Sequence, residues 1–215
     1  MSKGSERLQT QAEEVANSVS HGIGFVSAVV ATPFLIIHAA GQENTGFLVG
    51  ASIFCGTLIF LYLSSTLYHA LPVGLPKRVF RVIEHAAIFL LIAGTYTPFT
   101  LGVLYGVWGW SIFGAIWGMA AIGVGLKVFS RGSWPILSTL LYLLMGWLIV
   151  VAVDPLLVKV PEAGLFLLLS GGLFYTVGVY FFATDSQLLF GHLIWHLFVM
   201  AGTVCHYFAI YWYAA

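Results

Sequence analysis

Seven long apolar runs constrain this chain more than any other feature. Each run has about the 20 residues that a helix needs to cross the hydrocarbon core of a bilayer. None shows the alternating polar residues that face the lumen of a membrane barrel. The sequence therefore predicts an all-α integral membrane protein built as a seven-transmembrane-helix bundle. The runs cover residues 21–40, 46–70, 82–103, 106–128, 134–153, 162–183 and 190–213.

Composition supports this fold class and excludes others. Only 7% of the residues are charged, against about 25% in soluble domains, so a water-soluble surface cannot be assembled. The formal net charge is zero, and nothing predicts binding to nucleic acid. We expect a cytoplasmic N-terminal segment over 1–20 and a single transmembrane domain over 21–215, with membrane lipids as partners. The oligomeric state stays open.

The basic residues predict how the bundle is oriented, because cytoplasmic loops carry an excess of Lys and Arg. If the N-terminus is cytoplasmic, seven basic residues lie on the inner side and only Lys159 lies on the outer side. We therefore expect the N-terminus inside and the C-terminus outside. The seven inner residues are Lys3, Arg7, Lys77, Arg78, Arg81, Lys127 and Arg131.

The last apolar run begins with two histidines, His192 and His196, four residues apart. Four residues make about one helical turn, so both imidazoles project from one face. Ionisable groups inside a membrane segment indicate a functional site. In the predicted orientation both histidines lie in the inner leaflet. His69, at the end of the second run, and Glu84, near the start of the third, lie at a matching depth.

Three histidines with an open position are the ligand set of a catalytic zinc site. We predict that His69, His192 and His196 hold Zn²⁺. Zinc lowers the pKa of a bound water toward about 7, and Glu84 is the carboxylate placed to accept its proton. Ser65, four residues before His69, is a second candidate catalytic residue, through a hydrogen bond to substrate or water. A bond from Ser65 to a carbonyl of its own helix is the alternative.

The other four histidines are expected to have different roles. For His21 and His85 we expect hydrogen bonding or a position at the membrane interface. His38 and His206 fall near the outer ends of the first and last runs, where we expect interfacial roles. His206 follows His196 by ten residues, about 15 Å along a helix, so its depth excludes it from the zinc site.

Two local patterns predict details of the bundle. Asp154-Pro155 predicts the end of the fifth helix. Several glycines are expected to let helices approach closely, and Gly114 and Gly118 form a GxxxG pair. These glycines are Gly22, Gly24, Gly56, Gly94, Gly114 and Gly118.

The motifs also occur in the order and spacing of a known family. They read Glu14-x2-Asn17-x3-His21-Gly22, then Ser65-x3-His69, then Glu84-His85 through Thr97-Pro98-Phe99, then Gly191-His192-x3-His196 through His206. The chain resembles the hemolysin III family, the bacterial branch of the progestin and adipoQ receptor group, related to the alkaline ceramidases.

The resemblance implies seven helices in the bacterial cytoplasmic (inner) membrane and a zinc ion on His69, His192 and His196. It also implies that Ser65 and an acidic residue of the third helix lie beside a bound water. Relatives usually carry Asp at that third-helix position. This chain has Glu84, which keeps the charge and adds a methylene.

Three functions remain open at this point. The first is an intramembrane zinc hydrolase that cleaves an amide (C–N) or ester bond of an acyl-chain lipid, as the alkaline ceramidases do. The second is a non-catalytic protein with structural zinc that regulates membrane state or senses a lipid. The third, pore formation, is disfavoured because the polar residues form a layer and not a stripe from face to face.

Overall fold

A computed structural model of the chain describes residues 7, 9–130 and 134–215. Lys3 and Arg131, two residues used to predict the orientation, lie outside this part. In the described residues all regular structure is helical, and seven spans are long and apolar enough to cross a membrane. The predicted fold class is confirmed. The helices are α1 Gln11–Ala40, α2 Thr45–Ala70, α3 Leu75–Leu101, α4 Val107–Ser130, α5 Pro135–Trp147, α6 Val153–Lys159, α7 Glu162–Ala183 and α8 Gly191–Tyr213.

The spans form a closed ring. Each packs on its neighbour along the chain, and α8 packs on both α7 and α1. The interior holds fully buried rings such as Phe47, Phe54 and Phe89, while large apolar side chains such as Ile37 and Phe166 are exposed on the outside. An apolar exterior suits a bundle that is surrounded by lipid. Lipid chains offer no hydrogen-bond partners, and a helix needs none because its backbone groups bond to one another.

α1 begins at Gln11, ten residues before the apolar run at residue 21. Thr10 and Glu13 form a capping box, which satisfies backbone N–H groups that the first turn of a helix leaves free. Residues 11–20 therefore belong to the first helix, and the boundary expected at residue 20 falls inside it.

α3 also begins early, at Leu75 instead of residue 82. Proline is tolerated in a first helical turn, where its missing N–H has no helical acceptor, and Pro76 occupies such a position. These polar turns pack against the end of α2, since the Lys77 ammonium donates to the carbonyl of Tyr68 at 2.9 Å.

The fifth span does not end at Asp154-Pro155, and that prediction is wrong. α5 is followed by a 3₁₀ turn over Leu148–Ala152, and α6 then continues to Lys159. Pro155 is the third residue of α6, where a helix needs no backbone donor. The proline therefore lies just after a break within one span, and not at the end of the span.

The Tyr96 hydroxyl satisfies the backbone at this break. Its oxygen lies 2.8 Å from the carbonyl of Met145 and 2.9 Å from that of Gly146. It also accepts the N–H of Ile149 at 2.9 Å. Free backbone groups at membrane depth require such partners because no water replaces them.

The close helix contacts lie at other glycines than GxxxG predicts. A Cβ on Gly24 would meet the Tyr62 ring at 2.8 Å, so α1 and α2 approach closely, as expected. Gly114 and Gly118 have nothing within 4 Å of such a Cβ, so that prediction is wrong for the GxxxG pair. The same holds for Gly56. These three glycines lie on surfaces that the described residues leave uncovered.

Candidate metal centre

Four buried side chains, His69, Glu84, His192 and His196, converge near one end of the bundle; we call them the His/Glu cluster. Each offers one ligand atom, and these atoms all lie within 4.8 Å of one another. The cluster uses the last turn of α2, the third turn of α3 and the first two turns of α8. Because α2 ends where α3 and α8 begin, these positions meet at one level.

Carboxylates orient two of the three imidazoles. Nδ1 of His69 lies 2.8 Å from Oε2 of Glu14, and Nδ1 of His192 lies 2.9 Å from Oδ2 of Asp185. An ionised carboxylate only accepts, so each Nδ1 carries the proton and each Nε2 keeps its lone pair. A carboxylate behind the imidazole is the usual arrangement around histidines that bind a metal.

His196 is oriented in the same way by a hydroxyl. Its Nδ1 lies 3.0 Å from Oγ of Ser20. Ser20 donates its own proton to the carbonyl of Asn17 at 2.8 Å, so it accepts from His196. All three imidazoles of the cluster therefore present an unprotonated Nε2.

These three Nε2 atoms are buried and have no hydrogen-bond partner among the described residues. Oε2 of Glu84 is likewise buried and has no hydrogen-bond partner among these residues. Buried polar atoms without a partner are rare because each loses its hydration without compensation. Three imidazole lone pairs and one carboxylate oxygen are donors that suit zinc, so the residues present fit a metal ion.

The charges around the cluster also fit a divalent cation. Three carboxylates contact its imidazoles, those of Glu14, Glu84 and Asp185. Lys77 pairs with Glu14 at 3.0 Å. With neutral imidazoles these four groups carry a formal charge of about −2, which is costly to bury without a counter-charge.

Glu84 is part of a directed hydrogen-bond chain. Ser65 donates to Oε1 of Glu84 at 2.6 Å, and Nδ1 of His21 lies 2.6 Å from Oγ of Ser65. Since the Ser65 proton points to Glu84, His21 is the donor to Ser65. The His21 ring stacks on His196 with centroids 3.4 Å apart. This hydrogen-bond chain therefore holds Glu84 by Oε1, which also lies 3.6 Å from Nε2 of His69, while Oε2 lies 3.7 Å from Nδ1 of His85.

All five candidate site residues from the sequence lie in this region. His69, His192, His196 and Glu84 form the His/Glu cluster, and Ser65 bonds to Glu84 rather than to its own helix. Their roles as ligands, base or hydrogen-bond donor stay predictions.

The histidines outside the cluster differ in outcome. His21 makes the hydrogen bond expected of it. The interfacial position expected of His206 stays a prediction, but the residue lies outside the cluster. It is buried between α7 and α8, because Gly171 has no side chain: a Cβ there would lie 2.6 Å from Nε2 of His206.

Sequence reasoning missed Ser20 and the role of Asp185. Glu14, Asn17 and His21, at i, i+3 and i+7, mark one helical face of α1 at the depth of the site, but this spacing does not single out Ser20. Asp185 precedes His192 in a connection without helical period, so no spacing rule predicts that contact.

Comparison with known proteins gives concordant matches. The family described as Haemolysin-III related matches residues 9–207. "Hemolysin-3 homolog" of Bacillus subtilis and "Hemolysin-3" of Bacillus cereus are each 41% identical over 201 residues, which is 94% of this chain and 94% and 91% of theirs. "Monocyte to macrophage differentiation factor" of Homo sapiens is 31% identical over 217 residues, covering 94% of this chain and 84% of its own length.

Proposed function

This chain belongs to the Haemolysin-III related family, and from that premise we propose that it is a zinc-dependent membrane hydrolase that cleaves an amide or ester bond of a lipid. The observation that carries the proposal is the convergence of three unpartnered imidazole nitrogens on a buried carboxylate. That arrangement combines a metal site with a proton acceptor, which hydrolysis needs.

Zinc is the metal that the donors favour. His69, His192 and His196 would hold it through Nε2, and three histidines leave a position open for water or substrate. A bound zinc ion supplies Lewis acidity and lowers the pKa of water toward about 7.

Glu84 is the proton carrier of the proposed reaction. Its Oε2, which has no hydrogen-bond partner among the described residues, accepts a proton from the attacking water. The water oxygen bonds to the carbonyl carbon, the C–N or C–O bond breaks, and Glu84 returns the proton to the leaving nitrogen or oxygen. Ser65 donates to Oε1 at 2.6 Å and so fixes the orientation of the carboxylate.

A lipid substrate fits the surroundings better than a soluble metabolite. The half-buried ring of Phe182 lies between two histidines, with its centroid 6.1 Å from that of His85 and 6.2 Å from that of His192. The exposed faces of the neighbouring helices are apolar. An acyl chain can therefore lie against the bundle while its carbonyl reaches the cluster.

Metal analysis and hydrolysis assays on purified protein test the proposal. Metal analysis is expected to find about one zinc per chain, lost in His69→Ala and His192→Ala and kept in His38→Ala. Hydrolysis of a panel of lipid amides and esters is expected to follow the zinc content. Activity that survives both His192→Ala and chelation contradicts the mechanism.

A second candidate is a non-catalytic membrane protein in which zinc is structural. The observation that favours it is that the His/Glu cluster joins α2, α3 and α8, so a metal would cross-link three helices. In that case zinc raises the melting temperature and Glu84→Gln leaves the physiological output unchanged. Hydrolysis that depends on Glu84 rules this candidate out.

The proposed location is the bacterial inner membrane, with the N-terminus and the cluster on the cytoplasmic side. Arg7, Lys77 and Lys127 lie near the end of the bundle that holds the cluster. Lys159 bonds to the carbonyl of Val103 at the other end. A periplasm-dependent reporter fused to the C-terminus is expected to be active, and an inactive reporter contradicts this orientation.

A further inference from the structure

The connection between α7 and α8 is held by the segment before α1 and by its first turn. Arg7 makes two hydrogen bonds to the carboxylate of Glu13, at 2.6 and 2.7 Å. Nη2 of Arg7 also donates to the carbonyl of Leu188 at 3.0 Å. Oε1 of Glu13 accepts the backbone N–H of Phe190 at 2.9 Å. One ion pair thus binds this connection through both a carbonyl and an amide.

The connection needs such support because its backbone is strained. Phe190, the residue before α8, has φ of 58° and no side-chain cap. A bulky residue in the left-handed region costs free energy and persists only where its surroundings hold it. Glu13 accepts the N–H of Phe190 itself, as the N3 glutamate of a capping box would, although it lies 177 positions away in the sequence.

The same connection carries part of the metal centre. Asp185, which orients His192 through Nδ1, lies within it, and His192 is the second residue of α8. The start of α8 packs tightly on the connection, since a Cβ on Gly191 would lie 3.1 Å from Cα of Asp185. A shift of the connection therefore moves both His192 and the carboxylate behind it.

We infer that Arg7 and Glu13 are positioning residues for the metal centre: by holding residues 185–190 they place Asp185 and His192, and so set the affinity for zinc without touching it. This inference rests on the proposed zinc centre. It gives a role to a partly buried ion pair that lies outside the His/Glu cluster.

Zinc affinity of the detergent-purified full chain tests the inference, measured by competition with a chromogenic chelator. Glu13→Ala is expected to weaken zinc binding about 10- to 100-fold, the usual effect of losing a group that orients a ligand. Arg7→Ala should weaken it less, because Glu13 still accepts the N–H of Phe190. Glu162→Ala is the matched control, a first-turn glutamate of α7 at the opposite end of the bundle, and it should leave the affinity unchanged.

A spectroscopic measurement distinguishes a positioning role of Arg7 and Glu13 from a role in fold stability alone. The visible bands of the cobalt-loaded protein report the geometry of the ligands. The inference expects these bands to change in Glu13→Ala and Arg7→Ala. If the Glu13→Ala variant does not fold, the Arg7→Ala variant tests the inference instead, because the Arg7 side chain is partly exposed. A lower melting temperature of the zinc-free protein with unchanged affinity and bands overturns the inference.

The outcomes also separate this inference from the proposed function. Wild-type affinity in both variants overturns the role of the ion pair and leaves the zinc centre intact. A wild-type chain that binds no zinc overturns the zinc centre, and the inference with it.

Discussion

The imidazole of His192 meets the carboxylate of Asp185 through Nδ1 and Oδ2, 2.9 Å apart, and its buried Nε2 has no hydrogen-bond partner in the part of the chain that the structure describes. Glu14 does the same for His69 on the other side of the cluster. The carboxylates thereby set the tautomer and the orientation of both rings before any metal binds.

Replacing Asp185 with alanine should weaken zinc binding about 10- to 100-fold, because His192 then loses the acceptor that fixes its tautomer. Chelator competition on purified protein measures this loss. Asp154→Ala is the control, since Asp154 belongs to the opposite part of the bundle in α6. Equal affinities for the two variants would show that the Asp185 contact is not required.

Glu84→Gln should lower the rate of lipid hydrolysis about 10²- to 10⁴-fold, because the amide cannot accept a proton from water. Zinc content should stay close to that of the wild type, since the three imidazoles remain. Glu84→Asp keeps the carboxylate and should retain most of the activity. Full activity in Glu84→Gln would exclude this residue as the proton acceptor.

Tyr96→Phe should lower the free energy of unfolding by about 1–3 kcal/mol, the cost of leaving buried groups without a hydrogen bond. The hydroxyl serves the backbone of the interrupted fifth span, including the N–H of Ile149. Thermal melting in detergent measures the change. Tyr105→Phe is the control because that side chain is exposed, and a similar melting temperature for both variants would contradict the role given to Tyr96.

Gly50→Ala should destabilise the fold by about 1–3 kcal/mol through overpacking. Its Cβ would lie 2.6 Å from Cα of Pro98, so α2 and α3 would have to separate. Gly114→Ala, where nothing lies within 4 Å, should be neutral or slightly stabilising. Melting temperatures of the two variants test the contrast, which fails if Gly114→Ala is the more harmful change.

Much of the site could be predicted because depth in a membrane is readable from sequence. His192 and His196 share a face through their spacing, and His69 and Glu84 fall at the same depth through the alternation of seven spans. The ends of the helices were harder to predict, because a proline such as Pro155 is compatible both with the end of one helix and with the first turn of the next.

The membrane class, the seven spans and the layer that contains His69, His192, His196 and Glu84 follow from local properties of the sequence, namely the length, apolar continuity and helical period of its runs. How those four side chains are held in place depends on tertiary packing. Contacts such as His192 with Asp185, or Glu13 with Phe190, depend on how α8 and its preceding connection settle against α1. No local period encodes that arrangement, because it is set by packing between residues far apart in the chain.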